Sequence, residues 1–235
     1  MEGIIIFLII GIIVAGIAAY FLFVNYKKYK LILITETSTI SMVYDGFHEV
    51  KGRIVPLETQ LISPFAGKNC VYYHFMVEQN QRSGKSSKWV KIINDIRSSK
   101  FAIDDGTGKA VLDMSGADVQ IKLDTKASSG FLNSADEHER SVLEKYNQTN
   151  KMWIFEKTLR YTERYLEEGD ELYVLGEVNG KEDRYPLFRK SAMPLYVSDK
   201  SEKELLGYYR TRMIISGIVI AGIAAFIAWM YSLSV

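Results

Sequence analysis

Apolar residues run unbroken at both ends of the chain and alternate with polar ones in between. Gly3 to Val24 is a stretch of 22 residues without a charge, and Met213 to Val235 is a stretch of 23. At about 1.5 Å of rise per helical residue, each reaches roughly 33 Å, against roughly 30 Å for a hydrocarbon core. Both are apolar on every side, unlike the amphipathic helices of soluble proteins. Only Met1-Glu2 precedes the first stretch, too little for the basic leader of a cleaved signal peptide. The pattern predicts a transmembrane helix over 3–24 and a juxtamembrane segment over 25–47. A juxtamembrane helix from 201, opened by the capping box Ser201-Glu-Lys-Glu204, continues into a second transmembrane helix over 213–232.

Between the spans the period shortens to two. His48 to Val55, Cys70 to Glu78, Lys88 to Ile93 and Val119 to Leu123 alternate as half-buried strands do. In the second, Val71, Tyr73, Phe75 and Val77 are expected on one face, with Cys70, Tyr72, His74 and Met76 on the other. Gln79 to Ser87 reads as the polar tip of a long hairpin. Asp105-Gly-Thr-Gly108 between apolar runs predicts a tight hairpin, and Asn179-Gly180 another turn. Ser38 is placed as the cap of a short helix ending near Gly46. Residues 124–151 turn polar, with Ser134-Ala-Asp-Glu137 expected to cap a short helix reaching about Tyr146. The fold class is therefore mainly β: an antiparallel sandwich or a small barrel, spanning 48–198, with a short helical insertion over 124–151, flanked by N- and C-terminal transmembrane helices.

Charge narrows the function classes. The 29 Lys and Arg nearly balance the 28 Asp and Glu, so the chain lacks the basic footprint of a nucleic-acid binder and nucleic acid is not an expected partner. One cysteine, Cys70, allows no intrachain disulfide and no Cys-based zinc site. Lys27, Lys28 and Lys30 follow the first span, and Arg210 and Arg212 precede the second. The positive-inside bias then places the domain in the cytoplasm, with both termini outside.

No arrangement of residues points to catalysis, a metal or a cofactor. Cys70 and His74 fall on the same side of a strand but about 13 Å apart, too far for a thiolate–imidazole pair. His48 and His138 are isolated. Asp104-Asp105-Gly-Thr-Gly108 lacks the Gly-Lys-Ser/Thr of a phosphate loop and reads as a turn. Arg160, Tyr161, Glu163 and Arg164 form either a structural ion-pair cluster or a recognition surface. Arg82, Lys85, Lys88 and Lys91 at the hairpin, with Lys27, Lys28 and Lys30 at the membrane edge, are candidate contacts for lipid headgroups; the alternative is an ordinary solvated loop. Gly11 and Ala15 in one span, and Gly217 and Ala221 in the other, have the four-residue spacing that lets helices approach closely, within one chain or between copies.

The ordered motifs carry a resemblance. Glu49-Val-Lys-Gly-Arg-Ile-Val55, Ser63-Pro64, Cys70-Val-Tyr-Tyr73, Phe101-x-Ile-Asp-Asp-Gly-Thr-Gly108 with Gly116-Ala117, Arg160-Tyr-Thr-Glu163 and Gly169-Asp-x-Leu-Tyr-Val-Leu-Gly-Glu177 follow one another. Over roughly 35–197 this resembles the GIDE, or "beside a membrane", domain of mitochondrial ubiquitin ligases and their prokaryotic relatives. The eukaryotic ligases carry a zinc-binding RING after their second span, whereas this chain stops at Val235 with a single cysteine. The resemblance thus implies a RING-less, prokaryotic relative in the plasma membrane. In the mitochondrial relatives the domain faces the outer side, the alternative to the cytoplasmic placement drawn from charge. The expected role is a membrane-anchored, non-catalytic scaffold or sensor for an unidentified protein partner. The alternatives are a component of a ubiquitin-ligase-like pathway, or a structural protein that oligomerises through its spans.

Overall fold

The computed structural model describes residues 2–84, 86–129, 136–149, 151–152 and 155–232. In chain order the elements are α1 (Glu2–Ile34), a 3₁₀ turn (Ile40–Met42), β1 (Gly46–Pro56), β2 (Leu61–Ile62), β3 (Asn69–Cys70), β4 (Tyr72–Ser83), β5 (Ser86–Ser98), β6 (Phe101–Asp104), β7 (Lys109–Leu112), β8 (Asp118–Gln120) and β9 (Thr125–Ser129). They continue with α2 (Glu137–Lys145), β10 (Lys151–Met152), β11 (Phe155–Glu156), β12 (Leu159–Leu166), β13 (Glu171–Glu182), β14 (Tyr185–Arg189), β15 (Tyr196–Ser198) and α3 (Glu202–Ser232). The chain divides into a helical unit, made of its two ends up to Glu36 and from Ser201, and a β unit, Thr37–Lys200.

In the helical unit, α1 and α3 are both long and apolar enough to cross a membrane. The first helix runs ten residues past Val24, so Lys27, Lys28 and Lys30 lie on its outer turns rather than in a non-helical segment. Lys27 sits over the Phe23 ring, and Lys28 over Tyr209 of α3. The two helices pack along a seam of Ala18, Asn25 and Ile32 on α1, and Leu205, Tyr209 and Ser216 on α3. Gly11 belongs to the seam, because a Cβ there would lie 3.6 Å from Ile223. The matching pair on α3 does not. Ala221 is exposed, and a Cβ on Gly217 would meet nothing within 4 Å. Within one chain, close packing therefore involves Gly11 and not Gly217 or Ala221. The Ser201 capping box forms as its spacing predicts: Glu204 N donates to Ser201 Oγ at 3.3 Å, and Ser201 N to Glu204 Oε2 at 2.8 Å.

The β unit contains a closed barrel in the order β1-β6-β7-β14-β13, with β13 pairing back to β1. Most ladders are antiparallel, but β7–β14 and β8–β15 run parallel, which the antiparallel expectation did not include. Closure depends on β1, which pairs β13 from Gly46 to Arg53 and then β6 from Arg53 to Pro56. Gly52 stands at that changeover, where a Cβ would lie 3.0 Å from the Asp104 backbone. Val50, Ile54, Phe101, Ile103, Leu172, Val174 and Phe188 fill the interior.

A second, four-stranded sheet in the order β5-β4-β12-β9 stands beside the barrel. Tyr73, Phe75, Val77, Ile93, Leu159 and Tyr161 line one face, and Val142 and Leu143 of α2 cover it. Here the alternation breaks. Val71 joins Tyr72 in the barrel core, while Cys70 joins Tyr73 and Phe75 under α2. The chain bends between β3 and β4, with Val71 N donating to Leu166 O and Val71 O accepting from Ser99 N. That bend shifts the side-chain phase by one residue and puts Cys70 and His74 on opposite faces, not the same one.

Other local expectations shift for similar reasons. Gln79 to Ser83 remain in β4, so the hairpin tip is only the turn between Ser83 and Ser86. Gly180 is not a turn but a bulge within β13, at a positive φ of 82°. The β13–β14 turn falls instead at Asp183 and Arg184, both at positive φ. Ser38 caps no helix; the 3₁₀ turn follows Thr39, which makes no side-chain cap. The 124–151 insertion contributes a strand, β9, as well as α2. Its helix is capped by Asp136 with Glu139, whereas Ser134 lies outside the described residues.

Candidate functional site

Buried carboxylates organise the covered side of the four-stranded sheet. Glu163 on β12 is 1% exposed. It accepts hydrogen bonds from Phe65 N at 2.8 Å and Ala66 N at 2.7 Å, and so holds the loop after β2 against the sheet. Two backbone donors replace the water a carboxylate loses on burial. His138 Nε2 lies 2.7 Å from Phe65 O and ties α2 to the same loop.

Asp95 on β5 makes a second anchor. Its Oδ2 accepts from Tyr73 OH at 2.9 Å and Tyr146 OH at 2.7 Å, and its Oδ1 from Arg97 at 3.2 Å. Tyr146 ends α2, so one hydroxyl fastens the helix to the sheet. Burial pushes the Asp95 carboxyl up, but the bonds from Tyr146, Tyr73 and Arg97 outweigh it and leave the group below its ordinary range. Burial and the same carboxylate push the Tyr73 hydroxyl up to about 12. Spacing does not reveal this cluster, because its partners come from three separate elements.

Among the described residues, none covers the opposite face of the sheet. Strand alternation and register place His74, Met76 and Glu78 of β4 there, with Arg160, Thr162 and Arg164 of β12, Lys126 and Ser128 of β9, and Trp89, Lys91, Asn94 and Ile96 of β5. Arg160 donates to Glu78 Oε2 at 2.5 Å and stacks 4.5 Å from the Trp89 ring centroid. His74 Nε2 lies 3.0 Å from Asn94 Oδ1.

The predicted recognition group is thus divided. Arg160 and Arg164 face outward, but Tyr161 and Glu163 point into the packed interior and are corrected from surface to structural residues. Of the predicted headgroup contacts, Lys91 joins Arg160 and Arg164 on the open face. Lys88, three residues before Lys91 in an unbroken ladder, belongs to the other side. Lys85 lies outside the described residues, as does the side chain of Arg82.

Among the described residues of the β unit, Cys70 is not an activated nucleophile. Cys70 is buried, and burial, with Glu163 and Glu167 adding to it, pushes its thiol up to about 11. A protonated, enclosed thiol is inert at neutral pH. Asp105 directs one oxygen to Thr107 N, Thr107 Oγ1 and Gly108 N and the other to Ile40 N, so it braces its own turn and the 3₁₀ turn. Among the described residues, no group of three His, Cys, Asp or Glu side chains is placed to hold a metal ion.

The arrangement of β4 to β15, leading directly into α3, is what a family model recognises. The model for GIDE, described as E3 ubiquitin ligase, matches residues 72–229. This chain belongs to the GIDE family. The GIDE match begins at β4 and extends into α3, so it takes in the whole open face of the four-stranded sheet but not β1, which closes the barrel. No curated protein matches the chain. The GIDE assignment makes this an E3 ubiquitin ligase-related module bracketed by two candidate membrane spans.

Proposed function

We propose that the chain is a membrane-anchored, non-catalytic binding module: α1 and α3 cross one bilayer, and the GIDE β unit recruits a partner at its surface. The observation that carries this reading is a GIDE domain whose sole cysteine is buried and protonated, lying between two helices of spanning length. Two anchors confine the β unit to a thin layer and raise its effective concentration for membrane partners. In a reconstituted ubiquitin-transfer assay the full chain in vesicles is expected to transfer nothing by itself. Transfer that disappears in Cys70→Ser overturns the non-catalytic role.

We read the β unit as cytoplasmic, because Lys27, Lys28, Lys30, Arg210 and Arg212 flank the spans, and the membrane as a prokaryote's plasma membrane from the resemblance to RING-less relatives. Cys70 is shielded, so a Ser86→Cys variant labels at the hairpin alone. Membrane-impermeant maleimide is expected to reach it only in inside-out vesicles, and labelling of intact cells places the unit outside.

The family description supports a second reading, an accessory in a ubiquitin-ligase-like pathway. A RING needs several closely spaced Cys and His, and one cysteine with three histidines does not supply them. On this reading the chain acts by docking a ligase or conjugating enzyme. It predicts that transfer by a separate RING protein on the same membrane rises when the chain is present; an unchanged rate removes it.

A further inference from the structure

The sequence separates two groups of interest by about seventy residues, Lys91 near the hairpin and Arg160 with Arg164 near the last strands. The fold lays them side by side. On the uncovered face of the four-stranded sheet, Lys91 lies across from Glu78, Glu78 across from Arg160, and Lys126 across from Thr162. Four cations, Lys91, Lys126, Arg160 and Arg164, accompany one carboxylate, Glu78, and that carboxylate is engaged by Arg160. Among the described residues Lys91, Lys126 and Arg164 have no ion-pair partner. Along β5 the same face carries two large apolar side chains, Trp89 at 39% and Ile96 at 51% exposure.

We propose that this face is a contact surface for anionic phospholipid, with Lys91, Lys126 and Arg164 meeting headgroup phosphates and Trp89 and Ile96 entering the interfacial layer. The inference rests on the anchored reading above, because α1 and α3 keep a bilayer continuously available to the β unit. The chemistry fits a bilayer surface. Cations on flexible stems bind phosphates as point charges and need no pocket, and indole favours the headgroup layer. The Arg160–Glu78 bond and the Arg160–Trp89 stack hold the indole in place beside Lys91, at the β5 edge of this charge pattern. The surface is a flat sheet face instead of a cleft shaped for one side chain of a protein ligand.

The test uses the full chain carrying Trp153→Phe and Trp229→Phe, which leaves Trp89 as its one tryptophan. It is reconstituted in phosphatidylcholine vesicles with or without phosphatidylglycerol, together with a trace of lipid bearing a quencher near the headgroup. Trp89 quenching is expected to be about twofold stronger in the anionic membrane. It is expected to fall to the zwitterionic level in Lys91→Glu/Lys126→Glu/Arg164→Glu. If that variant does not fold, roughly 0.5 M salt should have the same effect on the parent, since the Debye length is then only a few ångströms. Equal quenching in both membranes overturns the proposal. So does a larger response of Trp89 to soluble polyglutamate than to the anionic membrane, which assigns the face to an acidic polypeptide. Alkaline carbonate extraction of the same vesicles reports anchoring separately. Protein retained in the membrane without lipid-dependent quenching removes this face and leaves the anchored module standing, whereas protein stripped off removes both.

Discussion

The barrel and the four-stranded sheet solve the same problem by different means. The barrel has no free edge among its five strands, and apolar side chains such as Phe101, Ile103, Leu172 and Phe188 fill it. The sheet is open, with one face under α2 and a loop, and the other bare. Its covered side relies on polar anchors set into apolar packing: Glu163 holds the loop, and Asp95 holds the helix. An open sheet whose cover is fastened by a few named hydrogen bonds keeps its second face available, and there Trp89 stands among basic residues.

Four substitutions measure that contrast by equilibrium unfolding. The largest effect is expected in the barrel, where Phe188→Ala removes a fully buried ring and costs about 3–5 kcal/mol. A loss below about 1 kcal/mol would show that the barrel interior collapses around the gap. Next, Glu163→Ala strands two backbone donors, Phe65 N and Ala66 N, and is expected to cost about 2–3 kcal/mol. It should also accelerate amide exchange at 63–67 while leaving β1 and β13 protected. Uniform loss of protection across both regions would mean that sheet and barrel unfold as one cooperative block.

Tyr146→Phe removes one hydroxyl from Asp95 and is expected to cost about 1 kcal/mol at neutral pH. The pH dependence separates this bond from general packing. Because the folded pKa of Asp95 is held below its unfolded value of about 4, its stabilisation is complete above about pH 4 and is lost as pH falls through the folded value. The variant should therefore show a shallower decline in stability below about pH 4 than the parent. Identical slopes would detach Asp95 from the acid response. Smallest is Arg160→Ala on the bare face, expected to leave the unfolding midpoint nearly unchanged because its ion pair with Glu78 is partly solvated. It should instead shift Trp89 emission by removing the cation from the ring; a large stability loss would make that face structural.

What the sequence discloses depends on how far apart the interacting residues are. The Asp105-Gly-Thr-Gly hairpin and the Ser201 capping box are readable because every partner lies within three or four residues. The apolar spans are readable from composition alone. The bend at Val71 is not, because alternation remains unbroken in the letters while Leu166 and Ser99 redirect the backbone from outside the segment. The same holds for Gly180, where Asn-Gly promises a turn but the strand continues beyond it as a bulge. Residues around 160–164 could be located but not divided into inner and outer members with separate duties, since that requires knowing what covers each face. Asp95 went unnoticed because Tyr73 and Tyr146 reach it from 22 and 51 positions away.

The bulge at Ile92 has a consequence for crowding. β5 is the last strand of its sheet, thirteen residues long, and offers a backbone rim on which a neighbouring molecule's strand can add. Molecules restricted to a plane meet side by side far more often than in free solution, so a smooth rim of that length invites runaway stacking. The extra residue throws the rim out of step half-way along, and Lys88 and Lys91 put like charge on the stretch just before the step. A neighbour's strand therefore meets no continuous register along this rim, which works against strand-on-strand stacking.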